Sequence, residues 1–119
     1  MNFDEYQQRC KISAVYPENG TGLLEAITYC SLGLAGEAGE VANKVKKLMR
    51  DEDTIALRMK IMQEIGDVLW YAAMLADEMG VSLNNIADTN LKILADRMVM
   101  GKIKGEGDDR QARLNLGTE

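Results

Sequence analysis

The sequence predicts an all-α protein, a bundle of about four helices, and three observations carry that expectation. A single proline, Pro17, leaves everything beyond it free of helix-breaking rings. Eight methionines against one tryptophan and one phenylalanine suit a core of interlocking helices. Apolar residues also recur at the three-and-four spacing of a helix face from residue 34 to residue 98. At 119 residues the chain has the length of one domain, expected as a helical body over 1–100 and a polar tail over 101–119.

Asn2 can cap a first helix whose opening turn holds Asp4 and Glu5. It should end near Val15, because Pro17 disfavours helical geometry just before it. Tyr16 to Gly22 reads as a connecting loop, being dense in breakers. A long second helix follows from about Leu23 to Met49, its cationic end (Lys44, Lys46, Lys47, Arg50) complementing the dipole. Gly33, Gly36 and Gly39 each cost that helix about 1 kcal/mol. Their spacing suggests either the close approach of another group or a local break near Gly33.

Asp51 to Asp53 makes a polar turn, with Asp53 a plausible cap for a third helix from about Thr54 to Met79, which Gly80 ends. A fourth helix, Leu83 to about Met100, lays Leu83, Ala87, Leu91, Leu94 and Met98 on one stripe. Asn90 intrudes on that stripe and Arg97 borders it. From Gly101 on, glycines and mixed charges replace any period, and a disordered tail is expected from Gln111.

A net charge of −5 speaks against duplex nucleic acid as a partner, since such binders carry basic surfaces. Cys10 and Cys30 lack metal-ligand spacing, and the chain has no histidine. No signal peptide and no membrane-length apolar run are seen, so the expected setting is soluble, reducing and cytoplasmic.

The chemistry concentrates in a doubled phrase. Glu37-Ala-Gly-Glu40-Val41 and Glu64-Ile-Gly-Asp67-Val68 each read E-x-G-(D/E)-V, with an apolar residue three positions before the first acid. In both copies the acids flank the apolar stripe, displaced by roughly 60° and 120° to the same side. If the stripes of Leu34, Val41, Val45, Leu48 and of Ile61, Val68, Ala72, Leu75 pack together, four carboxylates meet at the core's edge. Such a cluster repels itself unless protonated or bridged by a cation. Oxygen-only ligands suit a hard divalent ion, Mg²⁺ first and Mn²⁺ as the alternative. A redox di-iron site would draw histidines, which are absent. Lys44 and Tyr71 hold equivalent places four residues beyond Glu40 and Asp67. They read either as phosphate and sugar or base contacts, or as an i, i+4 ion pair and a half-buried aromatic. Asn90 reads as bonded either to backbone or to a ligand.

With these residues in view, the chain resembles the MazG-like nucleotide pyrophosphohydrolases from about Phe3 to Arg110. The resemblance rests on Leu34 to Lys44, on Glu64 to Tyr71, on Asn90 with Arg97, and on the glycine-rich Gly105 to Arg110. It implies an all-α fold and Mg²⁺-dependent hydrolysis of nucleoside triphosphates to the monophosphate and pyrophosphate. Glu37, Glu40, Glu64 and Asp67 would be the metal ligands, and Lys44, Asn90 and Arg97 nucleotide contacts. Such proteins usually pair their subunits, so a homodimer or homotetramer is expected. The long apolar stripes of one short chain point the same way, because uncovered patches mark interfaces. Two positions depart from the family pattern: Gly36 stands where a first glutamate is common, and Ile93 where a lysine is common. Water attack on the α-phosphorus, with Glu37 assisting deprotonation and Glu64 as its essential companion, is the expected reaction. The competing class is a catalytically weak or inactive helical dimerisation module with a structural metal or nucleotide.

Overall fold

Two long helices dominate the computed structural model, which describes residues 1–101. In chain order these residues form α1 (Phe3–Cys10), a 3-10 turn (Lys11–Ser13), α2 (Leu24–Arg50), α3 (Ile55–Glu78) and α4 (Leu83–Val99). No strand occurs among the described residues, so the all-α expectation holds. The Gly105 to Arg110 stretch and the tail from Gln111 lie outside them.

Asn2 caps α1 as expected, its side-chain oxygen accepting from the Glu5 amide at 2.9 Å. The helix stops before Val15 because the chain tightens into the 3-10 turn, where the Ser13 hydroxyl donates to the Cys10 carbonyl at 3.1 Å. The cap of α3 is Thr54, which accepts from the Leu57 amide at 3.1 Å, and not Asp53. Asp53 is held elsewhere: the Arg58 guanidinium takes both of its oxygens, each at 2.6 Å. Gly80 ends α3 at φ 73°, and the Val81 amide closes back onto the Ala76 carbonyl at 3.0 Å.

The short turn between α2 and α3 folds them into an antiparallel hairpin. Helix α2 runs unbroken through Gly33, so the local break does not occur. Gly33 is instead where the hairpin closes tightly, since a Cβ there would overlap the Tyr71 ring. A Cβ at Gly36, Gly39 or Gly66 would meet nothing within 4 Å.

The buried centre joins Ala26 and Cys30 of α2, Ala73 and Met74 of α3, and Cys10, Tyr16 and Leu83. It lies where α1 adds a third layer by packing on α3. Further along the hairpin Leu34, Val41, Ile61 and Val68 are only half-buried, because two helices alone cannot enclose a stripe. Gln7, 3% exposed, ties α1 to the end of α3. Its amide nitrogen donates to the carbonyls of Ala73 and Val81 at 3.3 and 3.0 Å, and its oxygen accepts from the Leu83 amide at 3.0 Å.

By its contacts the chain divides into two units, Met1–Leu83 and the part beginning at Asn84. In the second, the α4 stripe keeps Leu91 and Met98 each 65% exposed. Asn90 is exposed too, so burial imposes no partner on it. No helix among the described residues is long and apolar enough to cross a membrane.

Candidate functional site

The hairpin brings the two acidic phrases alongside each other. Running antiparallel, α2 and α3 place Glu37 opposite the turn of α3 that carries Glu64 and Asp67. One oxygen from each of these three residues lies within 4.8 Å of the others, the spacing a shared cation requires. Glu40 is not in this group. It sits one turn further along α2, exposed, with its carboxylate 3.2 Å from the Lys44 ammonium. Lys44 reaches across the hairpin as well and meets the Glu64 carboxylate at 2.7 Å.

The electrostatics separate the acids. Burial pushes the Glu37 carboxyl above its ordinary value, aided by a hydrogen bond to Glu64 and by the charges of Asp67, Glu64 and Glu40. Lys44 holds Glu64 below its ordinary value, and the hydrogen bond from Glu37 adds to that. The ammonium of Lys44 is itself pushed up by its bonds to Glu64 and then Glu40. One lysine therefore pairs with two of the acids, Glu64 and Glu40, and among the described residues Glu37 and Asp67 have no ion-pair partner. This donor set fits a hard divalent cation: all oxygen, closely spaced, and short of positive charge.

A pocket of about 360 Å³ opens beside the cluster, lined by Ser13, Glu37, Asp67, Trp70 and Tyr71. Tyr71 is fixed by Gly33 on one side and by Trp70 on the other, the two rings meeting edge to face at 5.0 Å. The Trp70 indole donates to the Ser13 hydroxyl at 3.0 Å. Ser13 and Trp70 were not among the residues singled out from sequence. Trp70 stands two positions beyond Val68, the end of the second acidic phrase, and directly before Tyr71, a signal legible in the sequence, whereas Ser13 comes into place only through the tertiary packing of the 3-10 turn. Asn90 and Arg97 lie in the second unit, Asn90 exposed and Arg97 half-buried.

Glu78, at the last turn of α3, is a further acid the sequence did not mark. It is 5% exposed. Its carboxylate accepts from the Tyr16 hydroxyl at 2.6 Å and from the amides of Gly20 and Gly22 at 2.8 and 3.0 Å. Burial alone would raise its pKa; the three donors outweigh that and hold it below the ordinary value.

Comparison with known proteins bears on this geometry. Residues 26–98 match the MazG nucleotide pyrophosphohydrolase domain, a span covering both acidic phrases. The Gene 37 protein of Mycobacterium phage L5 is 42% identical over 114 residues, covering 92% of this chain and 100% of that protein. No solved structure gives a significant match. With the domain match spanning more than half of the sequence, the chain belongs to the MazG nucleotide pyrophosphohydrolase family.

Proposed function

We infer that this protein hydrolyses a nucleoside triphosphate to the monophosphate and pyrophosphate with the help of Mg²⁺, or Mn²⁺ in its place. The observation that carries this reading is the convergence of Glu37, Glu64 and Asp67 from two helices beside a pocket walled by Trp70 and Tyr71. These three acids would hold the ion, with Glu40 completing the set from the next turn. When bound, the ion supplies charge for the phosphate oxygens and for the negative charge that develops on the leaving group. Glu37, one of the three converging acids and a lining residue of the pocket, is the residue assigned to take a proton from the attacking water. Glu64 orients the set through its short ion pair with Lys44. That lysine then has an anionic phosphate as its natural alternative partner. Tyr71 would face the sugar or base, and Asn90 and Arg97 keep their roles as nucleotide contacts on motif position alone.

The test is product identity. Purified protein with each nucleoside triphosphate and Mg²⁺ should yield monophosphate and pyrophosphate, and Glu64→Gln should abolish the reaction. Orthophosphate as the first product, or an undiminished rate in that variant, refutes the assignment.

The same reading includes a homodimer or homotetramer in the cytoplasm. Met59, Met62 and Ile65 on α3 are 56%, 68% and 53% exposed, the kind of apolar surface that marks an interface. The two cysteines are free and buried, which suits a reducing compartment. A second reading, a pairing module without activity, draws on one observation: Lys44 already pairs with both Glu64 and Glu40 from within. Thermal stability separates the two, since Mg²⁺ and a nonhydrolysable triphosphate together should stabilise an enzyme and leave a bare module unmoved.

A further inference from the structure

The candidate site uses the acids in the middle of the hairpin, yet the most completely bonded carboxylate in the described residues is Glu78, outside that site. Its three donors all come from the loop that joins the 3-10 turn to α2. Two of them exist only because the loop adopts backbone that favours glycine: Gly20 at φ 79° and Gly22 at φ 68° turn their amides toward one anion. At Gly22 a Cβ would also come within 3.2 Å of the Glu78 carbonyl, so loop and helix end fit closely. A mere connector does not require a buried charge with three convergent donors.

The third donor leads to the pocket. Tyr16, gripped through its hydroxyl, lies 5% exposed, stacked on Tyr29 at 5.5 Å and edge to face with Trp70 at 6.2 Å. Trp70 in turn meets Tyr71 and donates to Ser13, and these three residues line the pocket together with Glu37 and Asp67. From carboxylate to pocket the contacts are continuous: Glu78 fixes Tyr16, Tyr16 backs Trp70, and Trp70 sets both Tyr71 and Ser13.

We propose that Glu78 is a positioning residue for nucleotide recognition, holding Tyr16 as the prop behind the Trp70 and Tyr71 wall of the pocket. It touches no substrate and acts through the ring it anchors. The part of this proposal that concerns the nucleotide rests on the function inferred above; the part that concerns the wall does not.

Trp70 is the only tryptophan in the chain, so its fluorescence reports the wall directly. Glu78→Gln and Tyr16→Phe are compared with the wild-type protein for helix content, Trp70 emission, acrylamide quenching and steady-state kinetics. In folded variants the emission should shift to the red and quenching should rise. The nucleotide KM should increase by about tenfold while kcat changes little, as expected when a binding wall, and not the reacting group, is displaced. Tyr16→Phe keeps the ring and loses one hydrogen bond, so it should move the same readouts by less. Wild-type emission and quenching in a folded Glu78→Gln protein would overturn the proposal, as would loss of folding in both variants, which would mark a general structural role. If the wild-type protein hydrolyses no triphosphate, the functional reading fails by itself, and the emission measurement still decides the positioning claim.

Discussion

Acid should loosen this protein at Glu78, and the size of the effect follows from its bonds. A buried carboxylate with three donors gains about 1.5 to 3 kcal/mol from each hydrogen bond and gives back several in desolvation. Its folded pKa lies below the ordinary value of 4.5, so the donors win. A depressed carboxylate contributes stability that is fully present above its unfolded pKa and is lost as pH falls through the folded one. Glu78→Gln keeps the shape but replaces one acceptor oxygen with a donor nitrogen facing donors. At neutral pH it should cost about 2 to 4 kcal/mol. Urea unfolding of both proteins between pH 7 and pH 3 measures the gap. Glu37 has a raised pKa and works in the opposite sense, while Glu64 is depressed and works in the same sense. Both are common to the two proteins and drop out of the difference. The gap should be widest at neutral pH and narrow below the ordinary carboxylate range. A gap that stays constant with pH, or a glutamine variant as stable as wild type at pH 7, would refute the reasoning.

Two more perturbations test the packing. Gly33→Ala places a methyl group on the Tyr71 ring, and the overpacking cost of about 1 to 3 kcal/mol should exceed the roughly 1 kcal/mol gained in helix propensity. A lower melting temperature checks this, with Gly36→Ala, where the methyl meets open space, expected to raise it. Gln7→Ala takes the side-chain partner from the Leu83 amide and the Val81 carbonyl, and should lower stability by about 2 to 4 kcal/mol in a denaturant titration.

What the sequence revealed, and what it hid, divides by range of interaction. Helix identity was legible because long apolar periods with few breakers leave little competition, and the Asn2 cap and the Gly80 stop rest on contacts within a few residues. Asp53 and Thr54 are both favoured caps by residue type, so the sequence does not separate them. What decided it was Arg58, five positions on, drawing the aspartate away. Gln7 and Glu78 were invisible for a different reason. Each looks like an ordinary helix-surface polar residue, and its burial depends on partners 56 to 76 positions distant in the chain.

The acidic phrases show the same limit within the site itself. Sequence symmetry treats Glu37 and Glu40 as equivalent partners of Glu64 and Asp67, because each lies beside its helix's stripe. Antiparallel packing breaks that symmetry: moving along α2 toward its carboxyl end means moving along α3 toward its amino end. Glu37 therefore faces the turn holding both acids of α3, whereas Glu40 has moved past it and toward Lys44. Lys44 reaches back across the hairpin to Glu64 at 2.7 Å. The doubled motif thus specifies two helices, and their opposed directions produce three converging acids with a lysine at the edge. An incoming phosphate would meet that lysine together with any bound cation.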